Sequence, residues 1–531
     1  MTEKSALNLL TSPWPLVRLR DGGRETIRLA ELGRDDIVDI EAPRADFRGA
    51  IYQLLIGLLQ TAFAPADRKA WTQYWNQPPA SDELTQAFSP YEKAFNIDAR
   101  EGEPAFMQDL ELNEGEQKDI AVLFIEAPGA QTIRNNQDHF IKRGQINQLS
   151  PLTAALALFT LQINAPSGGQ GHRVSLRGGG PLTTLLIPPA GGSRDSLWHR
   201  LWLNVLTQEE FHRLPGGHDK REQAAILPWM GSTRTSEKKG METFPEQVNP
   251  LQAYWSMPRR IRLKWENVTG QCDLTGTPTN KLACHFITKN YGVNYAGHWI
   301  HPLTPYVFED DKEPLSIKAQ PGGIGYRHWI GLVLPGKQGK LSRAPATVVS
   351  AYDARKEWID DLEFHPRLWA FGYDMDNMKA RCWYEAEMPL FNLDADERDD
   401  LADQAQKMIA AANDVLKTLK ASLKKAWFDR PKDAKGDMSF IDANFWAATE
   451  LEFYALLGDL VAVLDDEDHI DELLGRWRNT LKQVATQLFD QYALGNLNED
   501  GDLERVVKAR DGKGGLQHYL NGSKALKALA A

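Results

Sequence analysis

Two glycine runs, each with an arginine beside it, give one stretch of the sequence a composition that suits an anion-binding loop. The run Ser167-Gly-Gly-Gln-Gly-His-Arg173 is followed by a second glycine run at 178–180, with Arg177 just before it. Glycine lets a backbone approach a ligand closely and expose its N–H groups, and arginine pairs with phosphate. The pattern therefore predicts a phosphate site or the floor of a nucleic-acid groove. A tight structural turn is the alternative that the composition leaves open.

A second group of residues has the side chains of a zinc site without its usual spacing. Cysteine and histidine bind Zn²⁺ tetrahedrally. The sequence has no Cys-x-x-Cys pair, and Cys284 is directly followed by a histidine. This spacing favours ordinary packing over a structural zinc held by Cys272 and Cys284, so we expect no cofactor. A metal-dependent hydrolase that uses this stretch is the enzyme alternative. The residues concerned are Cys272, Cys284, His285, His298 and His301.

The common catalytic motifs are missing from the sequence. The segment Gly331-Leu-Val-Leu-Pro-Gly-Lys337 is similar to a P-loop, but Gln338 stands where a Ser or Thr would hold Mg²⁺. Neither a Gly-x-Ser-x-Gly elbow nor a His-Glu-x-x-His pair occurs. We therefore expect a protein that is not an enzyme.

The charge balance excludes a histone-like or ribosomal type of basic protein. The 531 residues include 61 Lys and Arg against 72 Asp and Glu, which gives a formal charge of −11. Any nucleic-acid surface must therefore be a local patch on an acidic body. Three cysteines are too few for a disulfide framework, and no apolar stretch is long enough to span a membrane. We expect a soluble protein of a reducing cytoplasm, with no membrane partner.

Hydrophobic periodicity predicts an α+β fold: a large mixed domain with irregular β-rich parts, then a four-helix bundle. The predicted domains are residues 1–390 and 391–531. The bundle rests on four amphipathic runs with short connections, at 394–425, 438–464, 469–494 and 503–530. The pattern also predicts helices over 46–62, 81–95 and 152–163. Strands are expected around Gly22-Gly23 and over 182–187, and β-structure over 261–350. Residues 207–250 are expected to form a long irregular excursion.

Three lysines form one stripe on the first of these amphipathic runs. Lys417, Lys420 and Lys424 are spaced i, i+3 and i+7, which places them on one side of a helix. Such a stripe can neutralise phosphates, which would make binding depend on salt. A solvated polar face is an equally good interpretation.

Several short motifs occur in a recognisable order along the chain. They are Asn8–Arg18, Glu103-Pro-Ala-Phe-Met-Gln108, Asn164–Thr184, Leu203–Thr207 and Trp299-Ile-His-Pro302. This series resembles the CasA family, the large subunit of the type I-E CRISPR Cascade surveillance complex. The stretch Asn164–Thr184 is similar to the family's glycine loop. With the C-terminal helices, the resemblance covers nearly the whole chain.

The resemblance implies a non-catalytic subunit of an RNA-guided antiviral complex in a prokaryotic cytoplasm. Such a subunit recognises the protospacer-adjacent motif on double-stranded DNA from the minor groove, starts strand separation and recruits a helicase-nuclease. The implied partners are the backbone subunits, the small-subunit dimer, the guide CRISPR RNA and the target duplex. The minor groove distinguishes mainly A·T from G·C, so this mode tolerates several motifs. A pure assembly scaffold is the alternative.

The resemblance also assigns residues to motif recognition. The glycine loop contributes backbone groups, or the Gln170 side chain, to the groove. A lysine finger enters beside it, and Lys289 or, after a shift of one residue, Asn290 occupies that position. The loop positions are Gly168, Gly169, Gln170 and Gly171.

Two further elements are implied by the same resemblance. Asn377 and Met378, in the hairpin Gly372–Ala380, correspond to a wedge that separates the first base pair, although a plain β-turn also suits Asp and Asn there. Phe140, Lys142 and Arg143 correspond to a loop that contacts the guide RNA or a neighbouring subunit, whereas Phe140 as a minor core anchor is the alternative. The lysines at 417, 420 and 424 correspond to contacts with the displaced strand.

Overall fold

The chain folds into two compact units. The computed structural model describes residues 7–128, 133–135, 144–319, 322–359, 364–376, 379–495 and 502–529. One unit comprises Met1–Ala319 and Pro335–Glu385, and the other comprises Gln320–Leu334 and Ala386–Ala531. The α+β fold class with a helical C-terminal region is confirmed. The sequence pattern did not indicate that residues 320–334 group with the C-terminal part.

Short antiparallel strands form most of the sheet structure, as expected where Gly, Pro and Asn interrupt apolar runs. The described strands are β1 (Leu16–Leu19), β2 (Arg24–Thr26), β3 (Ile37–Glu41), β4 (Glu116–Asp119), β5 (Thr183–Ile187), β6 (Arg260–Glu266), β7 (Gly270–Gln271), β8 (Pro278–Thr279), β9 (Leu282–Lys289), β10 (Tyr306–Glu309), β11 (Leu315–Ser316), β12 (Gly336–Gln338), β13 (Leu341–Ala344), β14 (Arg367–Asp376) and β15 (Lys379–Pro389). The sheet orders are β2-β1-β3, β4-β9-β6, β7-β8, β11-β10-β13-β12 and β15-β14-β5.

Helices supply a large share of the buried core. The described α-helices are α1 (Ala45–Ala62), α2 (Arg68–Asn76), α3 (Ser81–Phe88), α4 (Pro151–Asn164), α5 (Leu197–Trp202), α6 (Gln208–Phe211), α7 (Gln223–Ile226), α8 (Trp329–Val333), α9 (Thr347–Arg355), α10 (Ala395–Trp427), α11 (Ser439–Val461), α12 (Glu467–Phe489), α13 (Leu503–Asp511), α14 (Leu516–Gly522) and α15 (Lys524–Lys527). Helix α1 is buried on nearly all sides, which its apolar composition predicts. Among the described residues, no helix combines the length and the apolar character needed to cross a membrane.

Stacked tryptophans join α2 to α5. The ring of Trp71 in α2 lies 6.4 Å from that of Trp202 in α5, and Trp202 Nε1 donates to the Trp71 carbonyl at 2.9 Å. Trp75 and Trp198 stack on these two rings at 5.4 Å and 4.9 Å. All four side chains are fully buried. Large aromatic rings contribute much of the buried apolar area of a core, so this cluster fixes the two short helices against each other.

Helix α4 delivers the chain to the first glycine run. Ser150 caps its N-terminus by accepting from the Thr153 N–H, and Pro151 occupies the first turn, where its missing N–H costs nothing. The helix ends at Asn164, because Pro166 disfavours helical geometry in the residue before it. The glycine run therefore starts from a rigid, buried element.

Residues 207–250 are packed more closely than the sequence indicates. They contain α6, α7 and short 3₁₀ turns. Trp229 is fully buried, and its Nε1 donates to the Ala94 carbonyl at 2.6 Å. Most of the segment has no regular secondary structure, as expected of a long irregular excursion, but this anchor packs it on the core although its average composition is polar.

The C-terminal unit contains three long helices, α10, α11 and α12. Trp477 of α12 is fully buried, and Tyr326 stacks on Phe453 of α11 at 4.2 Å. The predicted fourth helix is instead three short ones, α13, α14 and α15. Gly512, Gly514 and Gly515 separate the first two, and Gly514 adopts a left-handed φ of +81°, which a continuing helix cannot contain.

Candidate nucleic-acid interface

One end of the β4-β9-β6 sheet collects residues that lie far apart in the sequence. Lys289, the last residue of β9, pairs with Arg260, the first residue of β6. On the other side of β9, Thr288 pairs with Glu116 at the start of β4. Antiparallel pairing thus brings the end of one strand beside the starts of two others. Gln162 near the end of α4 reaches the same place, since its side chain pairs with the backbone of Arg259.

The glycine loop, defined here as Pro166–His172, follows α4 at this edge. Gly169 and Gly171 have left-handed φ values of +90° and +75°, which glycine adopts without steric cost. The loop tip is exposed. In the part of the chain that the structure describes, the N–H groups of Gly168, Gly169 and Gln170 have no hydrogen-bond acceptor. The loop therefore offers a row of free donors to a ligand.

The segment Lys289–Tyr291 holds the glycine loop from the other side. The Asn290 amide donates to the Gln170 carbonyl at 3.0 Å, and the Tyr291 N–H donates to the Gly171 carbonyl at 2.7 Å. The Gln170 side chain in turn donates to the Tyr291 hydroxyl at 3.1 Å. The two segments that the family resemblance assigned to motif recognition therefore form one hydrogen-bonded surface.

The same contacts separate the roles of Lys289 and Asn290. Both side chains are exposed. The Asn290 amide is used to hold the loop. The Lys289 ammonium makes no ion pair or hydrogen bond with any described residue. This geometry favours Lys289 over Asn290 as the group available to a ligand.

Two residues at this site were missed in the sequence. Arg259 donates to the Pro166 carbonyl and, at 2.5 Å, to His172 Nδ1. Tyr291 contacts the loop through both its N–H and its hydroxyl, from a positive φ of 63°. Neither residue carries a local signal: one follows a proline, the other follows a strand, and only the sheet register brings them to the loop.

The arginines that flank the glycine runs are used inside the protein. Arg177 is buried and donates to Thr183, Thr304 and Gln53 at 2.6–3.0 Å. Burial lowers the pKa of Arg177 to about 10, since none of these partners carries a charge. Arg173 donates to the Ser236 hydroxyl at 2.7 Å. The interpretation of Arg177 as a phosphate contact is therefore wrong, because the side chain has no access to solvent.

The second glycine run is a close-packed turn between the glycine loop and the β14–β15 hairpin. A Cβ on Gly179 would lie 2.8 Å from the Cα of Pro166, and one on Gly180 would lie 2.4 Å from Cγ of Met375 in β14. Real Cβ atoms do not approach other atoms this closely. These glycines therefore let the loop and the hairpin pack on each other.

Comparison with known proteins identifies this fold. Residues 8–488 match the family model described as CRISPR-associated protein Cse1. The chain belongs to the Cse1 family. Three solved structures have the same fold at low identity: Thermus thermophilus CasA (16% identity, TM-score 0.66, 99% of both chains), Thermobifida fusca Cse1 (16%, 0.70, 99% of both) and a chain of a "CRISPR RNA-guided surveillance complex" (14%, 0.62, 99% and 100%). The resemblance to CasA is confirmed.

In this Cse1-family chain, the hairpin in which a wedge was predicted is formed by β14 and β15. Asn377 and Met378 lie outside the described residues. Asp374 and Asp376 lie just before these two residues, where acidic side chains would repel phosphates. Both face a positive charge, since Arg381 donates to Asp374 at 2.7 Å and lies 3.9 Å from Asp376. The hairpin arms therefore carry less free negative charge than the sequence suggests. Phe140, Lys142 and Arg143 also lie outside the described residues.

The lysine stripe of the Cse1 helical region is largely used within that region. Lys420 forms an ion pair with Asp442 of α11 at 2.8 Å. Lys424 donates to the Ala434 carbonyl at 3.1 Å. Lys417 is exposed on α10. Of the three lysines, Lys417 is therefore the one whose ammonium is most available to a ligand.

The cysteines and histidines considered for zinc are spread apart. Cys272 is buried, and its thiol lies 3.5 Å from the Thr153 hydroxyl. His301 is buried, and its Nδ1 accepts from the Leu303 N–H at 3.1 Å. Within the described ranges, no three His, Cys, Asp or Glu side chains come together as a metal site.

Proposed function

We propose that this Cse1-family chain is a non-catalytic DNA-recognition subunit of a type I-E Cascade complex in a prokaryotic cytoplasm. In this proposal, residues 1–390 read the protospacer-adjacent motif on duplex DNA from the minor groove and start strand separation. Residues 391–531 lie toward the small-subunit dimer and the displaced strand. The guide CRISPR RNA, the backbone subunits and a helicase-nuclease are the other partners.

The docking of the glycine loop on Lys289–Tyr291 is the observation that carries this proposal. It sets an exposed, unpaired ammonium beside a row of free backbone N–H groups. The floor of the minor groove presents the acceptors N3 of purines and O2 of pyrimidines. With its Lys289 ammonium and its loop N–H donors, this surface matches that pattern. It also discriminates weakly among A·T-containing steps, which suits recognition of a family of short motifs.

The local charge supports the same role on a chain whose net charge is −11. Lys289 is free, and Arg259 has no carboxylate partner among the described residues. An acidic body with a small basic site limits indiscriminate DNA binding, because the sequence-independent attraction of phosphates grows with the number of basic contacts.

The test measures target-DNA binding by the reconstituted complex with and without this subunit, at one salt concentration. The duplexes differ only in the base pairs beside the guide-matched stretch. We expect affinity to depend on those base pairs only when the subunit is present. Lys289→Ala should reduce that dependence about tenfold, the usual cost of one lost specific contact.

Lys264 provides the matched control, since it is an exposed lysine on the neighbouring strand β6. Lys264→Ala should leave the motif dependence unchanged. If the dependence is the same with and without the subunit, the proposal fails and an assembly scaffold is the better description. If both lysine variants lose affinity equally for every duplex, Lys289 contributes general attraction and does not read the motif.

A further inference from the structure

The glycine loop is held at both ends by one side chain. The Arg259 guanidinium donates to the Pro166 carbonyl, where the loop begins, and to His172 Nδ1, where it ends. A Cβ on Gly168 would lie 3.0 Å from the Cβ of His172 and 3.4 Å from an Arg259 nitrogen. The two ends of the loop are therefore held together at this contact, while its tip is exposed.

Arg259 is itself fixed by the helix that leads into the loop. The Gln162 side chain accepts from the Arg259 N–H and donates to the Arg259 carbonyl, both at 2.9 Å. Gln162 is fully buried in α4. The backbone of Arg259 is thus fixed by a rigid helix, and the side chain reaches both ends of the loop from that fixed point.

We propose that Arg259 and His172 are positioning residues that hold the glycine loop in the conformation that reads the motif. This inference rests on the proposed function and adds to it a requirement that His172 be neutral. Nδ1 can accept from Arg259 only when it carries no proton, so the ring proton must be on Nε2. A second proton would turn the acceptor into a donor facing a guanidinium and break the contact.

The surroundings of His172 favour the neutral ring. Partial removal from water and then the Arg259 charge lower the pKa of His172 below 6.5. Lys118 of β4 acts in the same direction and Glu116 of β4 acts against it, and these two form an ion pair with each other. Because the folded-state pKa is lowered, the contact is complete at neutral pH. It is lost as the pH falls through that pKa.

Besides its hydrogen bonds, Arg259 contributes a positive charge that no carboxylate among the described residues neutralises. Its Nε is buried and has no hydrogen-bond partner among the described residues, and burial lowers its pKa to about 10. A lysine at this position would keep the charge but could not donate in the fixed fork of a guanidinium. Arg259→Lys therefore separates the charge of Arg259 from its two-point contact.

The experiment measures motif discrimination by the reconstituted complex between about pH 7.5 and pH 5, the range in which histidine titrates. Wild type should lose discrimination as the pH falls below 6.5, by up to about tenfold once the His172 ring is protonated, a loss typical of one hydrogen bond to a charged group. His172→Asn keeps an acceptor but cannot titrate, so it should match wild type at pH 7.5 and stay constant on acidification. His172→Ala and Arg259→Lys should lose about tenfold at all pH values.

A second readout does not depend on DNA. Hydrogen exchange at the Tyr291 amide, which donates to Gly171, reports whether the loop is held in place. At acid pH, wild type should exchange about tenfold faster than His172→Asn, and the two should agree at neutral pH. If wild type shows no motif discrimination but this exchange difference is present, the proposed function fails and the positioning role stands. If His172→Asn has the wild-type pH profile in both readouts, or Arg259→Lys behaves as wild type, the positioning role is overturned.

Discussion

At the scale of single residues, the two left-handed glycines of the loop are constrained differently. A Cβ on Gly171 would lie 2.8 Å from the Cβ of Asn290, whereas a Cβ on Gly169 would meet nothing within 4 Å. Gly169→Ala should therefore cost only backbone strain, about 1 kcal/mol, and Gly171→Ala should also push the loop away from Asn290. We expect Gly171→Ala to accelerate hydrogen exchange at the Tyr291 amide roughly 5- to 30-fold, which corresponds to about 1–2 kcal/mol.

Gly169→Ala serves as the control for that prediction. It alters a glycine with a similar φ in the same loop but leaves the Tyr291 contact in place. Equal exchange rates at Tyr291 in the two variants would show that the loop is not held by the 290–291 segment. The measurement needs the isolated chain only, so it is independent of the DNA-binding proposal.

Single residues also mark the limit of what the sequence could predict. The glycine positions and Lys289 could be assigned because composition and family motifs single them out. Arg259 could not, since its contacts with Pro166 and His172 depend on the register of β6 beside β9 and on Gln162 of α4. Arg177 was misjudged for a related reason: a sequence shows an arginine next to glycines, but burial decides whether the arginine reaches a ligand.

At the scale of elements, glycines in the C-terminal helices divide into two kinds. Gly475 lies in the middle of α12, and a Cβ there would meet nothing within 4 Å. Gly515 lies between α13 and α14, where a Cβ would lie 2.8–2.9 Å from three carbonyl oxygens. We expect Gly475→Ala to raise the free energy of unfolding by about 0.5–1 kcal/mol through helix propensity. Thermal unfolding of the chain measures this as a higher Tm.

Gly515→Ala is the contrasting variant on the same unit. The added methyl group has no room, so it should lower the Tm by displacing α14. A lower Tm for Gly475→Ala would contradict the prediction and would mean that α12 tolerates no side chain at this position.

The lysines of α10 allow a prediction about the displaced strand. Lys417 is exposed, whereas Lys420 is paired with Asp442. If α10 contacts the displaced strand, Lys417→Ala should reduce the slope of log affinity against log salt by about 0.7, the value for one phosphate on a single strand. Lys420→Ala should change that slope less and should lower stability by up to about 1 kcal/mol. Equal slopes in wild type and Lys417→Ala would remove Lys417 from the contact.

The limits of helices were predicted best where a clear sequence feature, such as apolar periodicity or a proline, determines them. The limits of α1 and α4 follow to within one residue from apolar periodicity and, in α4, from the Ser150 cap and the flanking prolines. The fourth C-terminal helix was predicted as one run because its apolar spacing continues across 512–515, but three glycines in four residues outweigh that spacing. In residues 207–250 the polar average composition concealed the packing, since Phe211, Leu227 and Trp229 are buried within that segment.

At the scale of the whole molecule, buried neutral histidines make the free energy of unfolding depend on pH. His199 is buried, with Nδ1 2.7 Å from the Ser196 hydroxyl and Nε2 3.0 Å from the Trp75 carbonyl, which satisfies a neutral ring. Burial lowers the pKa of His199 to about 4 and holds the pKa of His301 well below 6.5, with the Arg177 charge adding to the effect at His301. Both groups bind a proton more readily in the unfolded chain than in the folded one.

Acidification should therefore destabilise the chain before most carboxylates titrate. Between pH 6.5 and about 4, His199 is protonated in the unfolded chain but stays neutral in the folded chain. Its contribution therefore lowers the free energy of unfolding by at most about 1.4 kcal/mol for each pH unit of acidification. His199→Gln removes that titration, and its Tm should fall less steeply with pH than the wild-type Tm, whatever its value at neutral pH. His298→Gln alters an exposed histidine and should keep the wild-type slope. Identical slopes for wild type and His199→Gln would show that His199 is not held neutral by the fold.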